Sequence, residues 1–305
     1  MGESKLKRSR AEEMPASCAG VQTAGGRVQV RWDADGAATP MGQLAYFIEF
    51  LTLTGLWRSW QDRCPLSYTS PNAPGKADVL GTWMLSILSG HRRYSHVTTI
   101  RCDGVNPGLL GMNKVISEDA LRRALLAIPE EAGVGWLDGH LRESTAPLLD
   151  VPWILDIDTT IKPLYGKQEG AVVSYNPKKP GRPSHSYHTY LMAGLRLVMG
   201  VEVKAGNEHS GRHTLPGLLK LLDELPAAHK PKMVRGDCGF GSEGIMRELE
   251  ARAQPYLFKL RLSKNVKRHI ERLFRVSGWT DAGQGWEGID SALALTGWEA
   301  TRRVV

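Results

Sequence analysis

Two stretches decide the reading of this chain: Trp153-Ile154-Leu155-Asp156-Ile157-Asp158-Thr159-Thr160 and Lys232-Met233-Val234-Arg235-Gly236-Asp237-Cys238-Gly239-Phe240. Each is a short apolar run of strand length that stops at an aspartate. A carboxylate just past a buried strand is held rigidly and faces the crevice where ligands bind. Two of them can share a hard divalent cation through oxygen. Asp156 and Asp158 are two apart, so on a strand they share a face. Asp158 is the stronger candidate because it stands at the strand end beside two threonines. The glycines around Asp237 allow a sharp turn and a close substrate approach. On spacing alone, each aspartate could equally be an ordinary polar strand end with a turn.

Working outward, further strand candidates are 188–198, 199–204 and 255–260, beside 152–158 and 232–236. Leu215, Leu218, Leu219, Leu222 and Leu225 make an amphipathic helical stripe, with Pro216 tolerated in the first turn. Ser242 opens a second helix carrying Ile245, Met246 and Leu249. This order predicts a mixed α/β sheet in which early hairpin strands precede βαβ units. Residues 41–145 read as helical. Leu44, Phe47, Ile48 and Leu51 share one helix face, Val79–Leu88 forms another helix, and Ser117-Glu118-Asp119 opens a third. Residues 1–40 are polar and Gly-rich and read as mostly disordered, with a short strand possible at Val28–Trp32.

Between the first two strands lies a long excursion, 160–187, containing Tyr175-Asn176-Pro177-Lys178-Lys179-Pro180-Gly181-Arg182-Pro183. Connections of this length are uncommon unless functional or disordered. Its prolines keep it extended, and Lys178, Lys179 and Arg182 suit phosphate contacts better than base reading. A second basic run, with Lys264, Lys267 and Arg268 at its centre, reads as a helix face that tracks a DNA backbone or as a solvated basic helix.

Composition agrees with a polyanionic partner. The 305 residues carry a formal charge of +7 and a pI of about 9.2, a balance that favours nucleic acid. Hydrophobic content of 42% is that of a soluble globular chain. No apolar run reaches membrane-spanning length and no signal peptide is visible. The four cysteines form no CxxC pair, which argues against zinc and for a reducing, cytoplasmic compartment. HExxH, Walker and GxSxG patterns are absent.

Residues from about 40 to 305 resemble bacterial insertion-sequence transposases of the DDE class. The matching motifs are Leu155-Asp156-Ile157-Asp158-Thr159-Thr160, Tyr165-Gly166-Lys167-Gln168-Glu169-Gly170, Asn176-Pro177-Lys178-Lys179-Pro180-Gly181-Arg182-Pro183 and Arg235-Gly236-Asp237-Cys238-Gly239-Phe240. The Ser117-Glu118-Asp119…Arg122-Arg123 segment is similar to the family's helical N-terminal part. The resemblance implies a ribonuclease H-like core and DNA strand cleavage and transfer. It also implies Mg²⁺ (or Mn²⁺) held by two aspartates and a glutamate, and homo-oligomeric assembly on element-end and target DNA near the nucleoid. On this mapping Asp158 and Asp237 are the first two catalytic and metal-binding acids.

The organisation implied is a tail (1–40), a helical DNA-binding domain (41–149), the catalytic core (150–260), and a basic segment opening a β-rich insertion (261–305). The family's third acid lies in a Tyr-x2-Arg-x3-Glu-x6-Lys pattern that has no match after Asp237: Tyr256 is followed by Lys259 where Arg is required. The expectation is a C-terminally truncated copy, inactive alone. The alternative is a non-catalytic DNA-binding fragment or trans-inhibitor of a full-length transposase.

Overall fold

The computed structural model describes residues 19–30, 35–176, 179–208 and 210–305. The chain divides into two compact units, Met1–Gly133 and Val134–Val305. The first opens with a hairpin of β1 (Ala19–Thr23) and β2 (Gly26–Val30). Residues 19–30 of the polar tail thus form a paired hairpin, and residues 35–40 are irregular; Trp32 and residues 1–18 lie outside the described residues. Helices follow: α1 (Leu44–Leu53), α2 (Leu56–Arg63), α3 (Lys76–Leu88), α4 (Asn106–Leu109), α5 (Glu118–Leu126) and α6 (Glu130–Thr145), the last running across the division. Ile48, Leu85, Ile100, Leu110 and Met112 form a core in this unit. Leu44, Ile48 and Leu51 face inward as their spacing predicts, but Phe47 is exposed. Ser117 caps α5 by accepting from the Ala120 amide at 3.2 Å. Buried Asp78 on α3 accepts from the Asn113 and Lys114 amides, at 2.7 and 3.2 Å, which gives its buried carboxylate hydrogen-bond partners.

The second unit carries β3 (Ile154–Pro163), β4 (Val172–Val173), β5 (Pro183–Met192), β6 (Leu197–Ala205), α7 (Ser210–His213), α8 (Leu215–Glu224), β7 (Met233–Gly236), α9 (Glu243–Ala251), β8 (Tyr256–Phe258) and α10 (Lys264–Leu273). Two small hairpins complete it: β9 (Thr280–Gly283) with β10 (Trp286–Gly288), and β11 (Ser291–Leu293) with β12 (Arg302–Val304). In the main sheet β3 pairs antiparallel with β5 and parallel with β7. β5 pairs antiparallel with β6 and, at its start, with β4, while β7 pairs parallel with β8. Antiparallel strands first and parallel strands after, with the first core strand β3 central, is a ribonuclease H-like mixed sheet. It is preceded by helices, as the sequence implies.

Alternation in β3 explains its placement. Leu155 and Ile157 point into a core shared with Tyr190, Met192 and Val234 of the sheet, Leu218 and Leu222 of α8, and Ile245 and Leu249 of α9. The opposite face is open: Val198, Val201, Val203 and Leu257 are each more than a third exposed.

The strand candidate 188–198 is corrected. β5 begins at Pro183 and ends at Met192, and β6 starts at Leu197. Between them Gly194 (φ 83°) and Arg196 (φ 54°) turn the chain. The excursion accordingly shortens to 164–182, because Pro183–Tyr187 is already strand.

Candidate metal centre and nucleic-acid interface

The site follows from one register. β3 and β7 run parallel with Leu155 opposite Val234, Asp156 opposite Arg235 and Ile157 opposite Gly236. One step further along each strand stand Asp158 and Asp237. Both are exposed, on neighbouring strands that in a sheet lie about 4.8 Å apart. Asp237 follows the last residue of β7. β3, however, continues to Pro163, so Asp158 lies inside its strand and not at the strand end expected from the sequence, because pairing with β5 carries the extended backbone on past the apolar run. Because partnered positions in a parallel pair share a face, Asp156, Arg235 and Asp158 belong to the open side of the sheet, and Asp237 follows immediately after β7.

Local contacts hold this arrangement. The Asp237 Oδ1 accepts from the Gly239 amide at 2.8 Å, closing a tight turn after the strand. Phe240, fully buried, then anchors that turn in the core. Gly236 is required here: a Cβ at this position would lie 2.9 Å from Phe240 Cδ2 and 3.1 Å from Ile157 Cγ1. On β3, the Thr160 hydroxyl donates to Asp158 Oδ2 at 3.3 Å, and the Thr189 hydroxyl donates to the Asp158 carbonyl at 3.3 Å.

Asp156 has a different role. Arg235 donates to both of its oxygens, Nε to Oδ1 at 2.6 Å and Nη2 to Oδ2 at 2.7 Å. Hydrogen bonding to Asp156 holds the Arg235 guanidinium above its ordinary pKa. The bidentate geometry makes Asp156 a partner of Arg235 rather than a third acid beside Asp158. This pairing escaped the sequence reading, although Asp156-x-Asp158 and Arg235-x-Asp237 carry the same two-residue offset. Among the described residues no group of three or more His, Cys, Asp or Glu could hold a metal ion. Glu299, near the end of the chain, pairs instead with Arg247 of α9 at 3.3 Å.

The basic residues separate into two settings. Lys178 lies outside the described residues. Lys179 is exposed, with its amide donating to the buried Asn176 side chain at 3.1 Å. The Arg182 guanidinium stacks 4.6 Å from the centre of the Tyr165 ring, so part of its surface serves the excursion's own packing. On α10, Lys264, Lys267 and Arg268 are exposed while Val266 and His269 are buried. Their spacing places the three cations on one outward face. His269 meets Ser291 of β11 at 3.0 Å, tying the helix to the small hairpins. Beside it an open, mainly apolar cleft of about 1130 Å³ runs past Arg235, Leu257, Lys259, Val266, Trp279 and Trp298.

Residues 84–305 match the sequence model of the family described as Transposase DDE domain group 1. The chain belongs to this DDE transposase family. Among solved structures it is similar to the piggyBac transposase synaptic complex with hairpin DNA, at 14% identity and a TM-score of 0.31, over 81% of this chain and 48% of that one. The chain therefore spans about half the length of that protein. It is also similar to the Mos1 transposase paired-end complex with left transposon end, at 12% identity and a TM-score of 0.25, over 80% of this chain and 83% of that one. A Mos1 mariner paired end complex with Mn aligns at 11% identity and a TM-score of 0.24, over 78% of this chain and 91% of that one. No curated protein matches. No helix of the DDE transposase chain, among the described residues, is long and apolar enough to cross a membrane.

Proposed function

We propose that this chain supplies the first two catalytic acids, Asp158 and Asp237, and much of the DNA-binding surface for strand cleavage and transfer of an insertion sequence. The observation that supports the reading is the parallel register of β3 and β7, whose last pair, Ile157 with Gly236, is followed in both segments by an aspartate. Two exposed carboxylates fit a hard divalent cation, Mg²⁺ or Mn²⁺, that keeps part of its water shell and takes remaining oxygens from substrate phosphate. Bound there, the cation would neutralise phosphate charge and activate the attacking oxygen. The chain's own contribution is positioning. The Asp237 turn and the Thr160 contact orient the carboxylates, while Lys179, Arg182, Lys264, Lys267 and Arg268 hold DNA backbone. Lys178 and the helical segment 41–149 also bind element-end DNA, and the chain assembles as a homo-oligomer on it, at the nucleoid.

The second reading is a non-catalytic chain that binds DNA, occupies element ends and inhibits another transposase in trans. The test is DNA affinity measured across salt concentrations for the native chain and for a Lys264→Gln, Lys267→Gln, Arg268→Gln variant. The slope of log affinity against log salt should fall by about 2.7 in magnitude if all three contact phosphates. An unchanged slope removes α10 from the interface. Robust Mg²⁺-dependent cleavage by this chain, abolished in Asp237→Ala, would overturn the second reading and support the first.

A further inference from the structure

We infer that the Asp156–Arg235 pair is a cross-strand clip that sets the spacing of Asp158 and Asp237, which makes both members positioning residues. The inference rests on the reading of those two aspartates as metal ligands.

Three features of the structure require such a device. β7 is only four residues long; β8 holds one edge as far as Gly236, but on the edge that faces Asp158 the ladder with β3 spans four positions and stops at Ile157–Gly236. Asp158 and Asp237 stand one step past the last pair and, as like charges on neighbouring strands, push that end apart. The clip sits one pair before this frayed point, on the same face, and joins the strands by two charge-assisted hydrogen bonds of 2.6 and 2.7 Å. Arg235 also neutralises Asp156, so the four side chains together carry a net charge of about −2, the complement of one divalent cation.

The clip and a simple charge effect predict opposite outcomes. Arg235→Ala leaves Asp156 unpaired and makes the face more negative, so charge alone would tighten cation binding, whereas a lost clip weakens it. Asp156→Ala with Arg235→Ala removes the clip at constant net charge. Asp156→Arg with Arg235→Asp restores a pair in reversed order.

The experiment titrates the full chain with Mn²⁺, followed by electron paramagnetic resonance, and measures amide hydrogen exchange across Val234–Asp237. In Arg235→Ala and in the double-alanine variant, Mn²⁺ affinity should fall about 10-fold or more, the range seen when groups supporting metal ligands are removed. Exchange at Gly236 and Asp237 should accelerate, and the reversed pair should recover most of both losses. Native Mn²⁺ affinity and native exchange in the double-alanine variant overturn the inference, as does tighter binding in Arg235→Ala. Asp158→Asn and Asp237→Asn separate the two readings. If neither weakens Mn²⁺ binding, the metal-site reading fails, and the exchange data alone decide whether the clip orders the end of β7.

Discussion

Gly236→Ala tests how the core holds Asp237. The added methyl would meet Phe240 Cδ2 at 2.9 Å and Cγ at 3.1 Å, with Ile157 Cγ1 at 3.1 Å. Phe240 is fully buried, so its ring has no solvent to move into. Overpacking of this kind costs about 1–3 kcal/mol, offset by about 0.4–1 kcal/mol from the stiffer unfolded chain. A net loss of about 1.5 kcal/mol is expected. Phe240→Leu alone thins the same contact and should cost about 1–1.5 kcal/mol. In the double variant the smaller side chain makes room for the methyl. The total loss should then be about 1.5 kcal/mol rather than the additive value of about 3 kcal/mol, a coupling well above the ~0.5 kcal/mol scatter of independent sites. Urea unfolding of the four chains measures the cycle. Additivity within that scatter would refute the claim that Gly236 is a glycine because Phe240 lies against it.

Two further outcomes follow from the buried polar contacts. Arg302 donates to Glu250 at 2.6 and 2.9 Å and also to Glu243, and these hydrogen bonds hold both glutamates below their ordinary pKa. The stability they contribute is complete above the ordinary carboxylate range and is lost as pH falls through the depressed folded values. Thermal melts should show this acid loss in the native chain and a flatter profile in Arg302→Met. The Tyr190 hydroxyl donates to Glu202 at 2.8 Å and the Thr214 carbonyl at 3.1 Å, and burial pushes its pKa far up. Tyr190→Phe should cost about 1–3 kcal/mol in urea unfolding, with no change visible if those partners are resolvated.

Period and punctuation were sufficient to read several elements. Leu218 and Leu222 of α8, with Leu225 just past its end, recur at helical spacing and lie in the core, and Leu215 packs against it. Leu219 of the same stripe is only half-buried, while Leu221, outside the stripe, is buried. Leu155 and Ile157 alternate with Asp156 and Asp158, so the inner and outer faces of β3 were legible before any partner strand was known. The β5–β6 boundary was not. Its turn includes Leu195, which sits exposed in an otherwise apolar run, and the signal that ends β5 is backbone conformation at Gly194 and Arg196. Phe47 fell on the apolar face of α1 by spacing yet is exposed, because spacing specifies a helix face without specifying what packs on it.

The sequence by itself determined the fold class, the resemblance to DDE transposases and the two aspartates that close apolar runs, although β3 continues past Asp158 to Pro163. These depend on local periodicity and on short contiguous motifs. Only the tertiary structure decided that Asp156 belongs to Arg235, that Gly236 gives way to Phe240, and that Asp158 and Asp237 stand level at the open end of one parallel pair. Those facts depend on register between strands 79 residues apart. No local pattern encodes register, because it is set by the packing of α8 and α9 against the inner face of the sheet.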